Sequence, residues 1–212
     1  MQDAYSFGLL ALTSFFTLFN PLGTMPIFIS MTSELAEEQK RKTARKAVIV
    51  AFFTTLAFAF SGQLLFRFFG ISVNSFRIVG GIIFFLMGQD MLQARLGKIK
   101  LSEKEAEINA YVNDISITPL AIPMICGPGA ITNSIVLMED ANSLLKKILL
   151  VVSIALILGI TYLVLISGTA ISKKLGDTGN KVLMRLMGLI VMVIAVEFFF
   201  SGLKPIIQDM IK

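Results

Sequence analysis

Two short runs, Asn20-Pro21-Leu22-Gly23 and Gly127-Pro128-Gly129-Ala130, place helix-breaking residues inside apolar stretches long enough to cross a bilayer. Asn is a favoured helix N-cap, and Pro suits the first helical position, where its missing N–H would have had no intrahelical partner. Each run therefore reads as the start of a half-helix whose first N–H groups and positive dipole end lie near the middle of the membrane. Such an end attracts anions, carboxylates among them. Gly23, Gly127, Gly129 and Ala130 keep side-chain volume small, and Thr24, Thr132, Asn133 and Ser134 add compact polar groups just beyond the breaks. That chemistry favours a small zwitterion. The candidate binding residues are Asn20, Pro21, Leu22, Gly23 and Thr24 in the first half and Gly127, Pro128, Gly129, Ala130, Thr132 and Asn133 in the second.

A second chemistry lies in the intramembrane charges. Glu197 falls well within the last apolar run, where a carboxyl is costly and must face protein or water. It is the candidate for proton coupling, against the plainer reading of a neutral or Arg-paired structural glutamate. Gln89, which occupies the corresponding place in the first half, cannot titrate. Arg77 and Arg185 stand near the starts of the third and sixth runs, where snorkelling to headgroups competes with a gating or carboxylate-binding role. The chain has no His, so proton chemistry near neutral pH falls to carboxylates. Its single Cys126 excludes an intramolecular disulfide and a Cys-cluster metal site. No metal-ligand spacing and no nucleophile–base pairing is legible, so neither a metal, a cofactor nor an enzymatic activity is expected.

The elements that position these residues are apolar helices. Hydrophobic residues make up 55% of the chain and charged ones 16%, with a mean hydropathy of +0.80; soluble domains carry roughly 25% charged residues. Six apolar spans follow, at 6–32, 46–69, 73–93, 115–138, 147–171 and 182–203. The first is too long for the apolar core of a cleavable signal and lacks a basic flank. The connection 94–114, with Lys98, Lys100, Glu103, Lys104, Glu105 and Glu107, reads as a solvated amphipathic stretch between two halves of one domain.

Those halves resemble each other. Ser61-Gly62, Gly70, Asn74, Arg77, Gly80 and Gln89 have counterparts in Ser167-Gly168, Gly176, Asn180, Arg185, Gly188 and Glu197, at offsets of 106 to 108, and Pro21 matches Pro128 at 107. Three spans per repeat is odd, so the second repeat enters the membrane from the opposite side. Asn74 and Asn180 are expected to cap the third and sixth helices. The loops after spans one, three and five hold twelve Lys and Arg against five on the other side, which puts the first set in the cytoplasm and both termini outside. Basic residues placed between apolar segments argue against nucleic acid as a partner. A passive pore for small neutral solutes or anions is the competing function, since aquaporin-type channels also use paired Asn-Pro half-helices; the second break lacks that Asn.

The run Asn20-Pro-Leu-Gly-Thr-Met-Pro26, followed by Pro119-Leu-Ala-Ile-Pro-Met-Ile-Cys-Gly-Pro-Gly-Ala-Ile131, resembles the MarC family of six-span inner-membrane proteins, also described as the small neutral amino acid transporter or SnatA family. The likeness covers essentially the whole chain. It implies secondary transport of small neutral amino acids such as glycine and alanine across the inner membrane, coupled to a proton or a sodium ion. The family's motif residues would fall on Asn20, Pro21, Gly23, Pro26, Gly127, Pro128 and Gly129. The expectation is an all-α membrane protein: a repeat over 1–93, the 94–114 connector and a repeat over 115–212, with the first and fourth helices discontinuous.

Overall fold

The computed structural model describes residues 2–93 and 105–211, which are almost wholly helical with no strand among them. The order is α1 (Gln2–Phe19), α2 (Pro21–Met31), α3 (Glu37–Phe69), α4 (Val73–Leu92), α5 (Glu105–Ile115), an irregular widened segment (Ser116–Ile125), α6 (Pro128–Asp140) and α7 (Leu144–Ile211). Gly176, at φ 64° and ψ −177°, breaks α7 into two arms, Leu144–Gly168 and Thr178–Ile211. Both arms, Asp3–Met31, α3 and α4 are each long and apolar enough to cross a membrane. Glu107–Ile125 and Pro128–Asp140, bent by 60° at a short break, make a sixth span if taken together.

Element ends differ from the sequence reading in instructive ways. Helix α3 starts nine residues ahead of its apolar run, because the Ala36 N–H donates to Gln39 Oε1 at 3.0 Å and Glu37 and Glu38 complement the dipole. Ser72, not Asn74, caps α4: its Oγ accepts the Ser75 N–H at 2.9 Å. Asn180 lies inside the second arm of α7 instead of capping it, since the chain turns earlier, at Gly176. Within the expected polar connector, 94–104 lies outside the described residues, and the remainder opens α5. Helix α5 is tied to the rest by Lys46 Nζ to Asn113 Oδ1 at 2.7 Å and by Tyr111 OH to the Met31 carbonyl at 2.9 Å.

The core is organised by four-residue spacing. Phe7, Ala11, Phe15 and Phe19 form one buried stripe along α1, with the rings of Phe15 and Phe19 stacked at 5.1 Å. On α3 the buried stripe is small: Ala47, Ala51, Thr55, Ala59 and Gly62. Small residues let helix backbones approach closely, which matters in lipid because apolar burial there gives no drive to association. A Cβ on Gly62 would collide with Ile135 of α6. Large apolar side chains on the other face of α3, Phe53, Phe60, Leu64 and Phe68, are exposed and suit lipid contact.

The irregular segment fits into the space these small residues leave. Thr118 and Ile122 precede prolines and take extended conformations, at φ/ψ of −127°/122° and −130°/123°, as the proline ring demands of its predecessor. Leu120, Ala121, Ile125 and Cys126 are nonetheless buried, and the Cys126 N–H reaches the Ala121 carbonyl at 2.8 Å. Non-helical backbone at membrane depth is tolerated only when protein or a cavity surrounds it. Helix α4 and the second arm of α7 run antiparallel over glycines. A Cβ on Gly88 would lie 2.8 Å from the Gly188 carbonyl, one on Gly81 2.7 Å from that of Ala195, and one on Gly202 2.5 Å from that of Asn74.

Candidate functional site

The first break is built by Asn20. It takes the left-handed conformation, φ 44° and ψ 64°, which Asn tolerates better than most side chains, and it caps α2 directly ahead of Pro21. Its Oδ1 accepts the Gly23 N–H at 3.1 Å and its carbonyl accepts the Thr24 N–H at 3.0 Å. A Cβ on Gly23 would overlap the Asn20 amide, so the cap requires glycine there. Thr24 Oγ1 donates to the carbonyls of Asn20, at 3.0 Å, and Phe19, at 3.3 Å. The start of α2 is therefore largely satisfied from within, where the sequence alone suggested open donors.

The second break is built differently. Gly127 caps α6 with no side chain to offer, and Pro128 follows at the first helical position. Ile131 N–H reaches the Gly127 carbonyl at 3.0 Å, but no acceptor among the described residues takes the Gly129 or Ala130 N–H. In the next turn Thr132 Oγ1 and Asn133 Nδ2 are buried without a hydrogen-bond partner. Buried polar groups are nearly always paired, so these four, spread over residues 129–133 at the start of α6, stand out among the described residues. Close packing surrounds the first turn. A Cβ on Gly80 would overlap Pro128, one on Gly127 would lie 2.5 Å from the Phe84 ring, and one on Gly129 would overlap Phe198 and lie 3.0 Å from Leu18.

Between the first break, α4, the irregular segment and the second arm of α7 lies a cavity of about 350 Å³. Asn20, Gly23, Thr24 and Thr17 line one side, and Glu197 and Ser201 the other. The remaining wall is apolar: Leu18, Phe84, Met87, Met124, Val191, Val193, Ile194 and Phe198. Phe84 and Phe198 meet edge to face, with centroids 6.0 Å apart, and each also packs on the first turn of α6. The two rings and Leu18 thus stand between the cavity and the unpaired groups of α6.

The structure gathers the sequence candidates unevenly. Asn20, Gly23, Thr24 and Glu197 share the cavity, whereas Gly127, Pro128, Gly129, Ala130 and Thr132 are buried just behind its aromatic wall, with Asn133 half-buried beside them. Pro21 is buried and Leu22 is exposed, away from the cavity. Gln89 and Arg185 are exposed outside it, and Arg77 packs against Gly202. The aromatic wall and Ser201 were invisible in the sequence, because a Phe in an apolar run carries no mark of which neighbour it meets. Among the described residues no three His, Cys, Asp or Glu side chains gather to hold a metal ion.

Five to six membrane-length helices packed around an irregular buried segment define a polytopic helical membrane protein. The chain belongs to the MarC family of integral membrane proteins, whose model matches residues 5–207. It is 38% identical to a UPF0056 membrane protein of Methanocaldococcus jannaschii over 196 residues, covering 92% of this chain and 95% of that one. It is 35% identical to the UPF0056 membrane protein YvbG of Bacillus subtilis over 201 residues, 94% and 95% of the two chains. To YhcE of Escherichia coli it is 34% identical over 200 residues, 93% and 92%. No solved structure matches.

Proposed function

We propose that this protein is a secondary transporter of small neutral amino acids, of the glycine and alanine class, working by alternating access in the inner membrane. The observation that carries the reading is the set of unpaired groups in the first two turns of α6: two buried N–H groups, the Thr132 hydroxyl and the Asn133 amide would suit an acceptor-rich guest. An amino acid carboxylate supplies that, at the positive end of a helix dipole. Phe198 and Phe84 separate these groups from the cavity, so movement of the two rings would join the spaces and admit the substrate. Thr24 and Asn20 border the same cavity from the first break.

The two breaks are read as the discontinuous helices of two inverted repeats. The antiparallel crossing of α4 with the second arm of α7 supports this, because Gly88 meets Gly188 while Gly81 meets Ala195, an arrangement expected where two equivalent helices cross about a two-fold axis. Rocking of one repeat against the other would then expose the site to each side in turn. Coupling to a proton, with sodium as the alternative ion, falls to Glu197.

The test is uptake of labelled glycine into proteoliposomes holding the purified protein, with and without an imposed pH gradient. Concentrative uptake that collapses with the gradient is the expected result. No flux of glycine or alanine beyond empty liposomes would refute the reading. Gly129→Val drives Phe198 toward the cavity and should cut transport at least tenfold while the protein still inserts.

A further inference from the structure

Glu197 is exposed where it lines the open side of the cavity in the second arm of α7, beside the exposed Val193 and Ser201, and among the described residues no Lys or Arg pairs with it. The groups that face it are neutral. Helices α1 and α2 bring Thr17, Asn20 and Thr24, α4 brings Phe84 and Met87, the irregular segment brings Met124, and the arm itself adds Ser201. Charged residues on these elements stand elsewhere: Asp3 pairs with Lys146 at 2.9 Å, Arg77 packs on Gly202, and Asp90, Lys181, Arg185, Lys204 and Asp209 do not line the cavity. A carboxylate at membrane depth is costly unless it is paired or neutralised. No positive partner for it stands among the described residues, which leaves the carboxylate free to take one that arrives through the cavity.

Two such partners reach it through the cavity, a proton and the ammonium group of a ligand. Phe198 follows Glu197 in the chain and packs on the first turn of α6, so a zwitterion admitted past that ring with its carboxylate at α6 would carry its ammonium on the cavity side, which Glu197 lines. The apolar wall of Met87, Met124, Val191 and Ile194 is left for the side chain. We propose that Glu197 is the counter-ion of the substrate ammonium and also carries the coupled proton, so that amino acid and proton occupy it in turn and move in opposite directions. The proposal rests on the transporter reading above.

In this cycle protonated Glu197 loses its O–H proton to water as R–NH3+ arrives, and the carboxylate pairs with the ammonium. On the other side the amino acid leaves and a proton returns to the carboxylate. No other bond changes. The amino acid carries no net charge, so each exchange moves one positive charge against it, and an inward proton gradient drives export.

The test uses the full chain in proteoliposomes loaded with labelled alanine and a luminal pH dye. Acidifying the medium by one pH unit should speed efflux several-fold and acidify the lumen as alanine leaves. Protons leaving together with alanine would overturn the proposal and leave the transporter reading standing, whereas no alanine flux at all would sink that reading first. Glu197→Gln should abolish the response to the gradient and raise the apparent KM tenfold or more, with Glu197→Asp restoring part of both. In the wild type, ethylamine, an ammonium without a carboxylate, should compete with alanine, and in Glu197→Gln it should lose that competition while propionate keeps its own. Failure of ethylamine to compete in the wild type, or a gradient response retained by Glu197→Gln, contradicts the assignment.

Discussion

Asn20 carries more of the fold than its size suggests. It holds the left-handed turn, closes the start of α2 through Oδ1, and borders the cavity. Replacing a capping Asn by Ala costs about 0.5–2 kcal/mol, and the left-handed conformation adds roughly 1–2 kcal/mol for a residue with a Cβ and no local hydrogen bond. Asn20→Ala should therefore lower the melting temperature in detergent clearly, and Asn20→Gly much less, since glycine adopts the turn freely. Equal losses for both would mean that the amide matters more than the turn. Cys126 invites a second test at this scale. It is fully buried and its sulfur accepts the Thr55 hydroxyl at 3.2 Å, so it should resist water-soluble maleimides in the folded protein and react once the chain is denatured. Rapid labelling of the native protein would show that the second break opens to water at rest.

The elements divide into those whose ends are dictated locally and those placed by distant packing. Pro21 and Pro128 at the starts of α2 and α6, and Pro119 and Pro123 in the irregular segment, were legible because proline acts on its own neighbours. Asn74 as a cap was not, because Ser72 competes two residues earlier and the chain after Gly70 turns in time to use it. The cavity wall was illegible for another reason: Phe84 and Phe198 meet across more than a hundred residues of chain, and nothing in either apolar run encodes that partner. Glu197 stood out since a lone carboxyl in an apolar run is costly wherever it packs. The glycine crossing of α4 with the second arm of α7 gives the test at this scale. Gly88→Val places side-chain atoms against the Gly188 carbonyl and Met192, and overpacking of that kind costs about 1–3 kcal/mol. The variant should unfold several degrees earlier, and Gly159→Val, where a Cβ meets open space, should not.

At the scale of the whole molecule the structure supplies five to six helices long and apolar enough to cross a membrane, and the distribution of Lys and Arg gives an expected direction that an experiment must test. Both termini are expected outside the cytoplasm. Alkaline phosphatase fused after Lys212 should thus be active in cells and a fluorescent protein at the same place dark; the reverse pattern would invert the topology and, with it, the side from which protons reach Glu197. The central claim is that the cavity between the first break and Glu197 is the place where substrate sits and changes sides. The most direct measurement introduces one cysteine on its wall, Ser201→Cys, in a Cys126→Ser background, and follows labelling from each side of the membrane with and without alanine. Labelling from both sides, slowed by alanine from each, is the outcome the account requires. Labelling confined to one side and indifferent to alanine would contradict it.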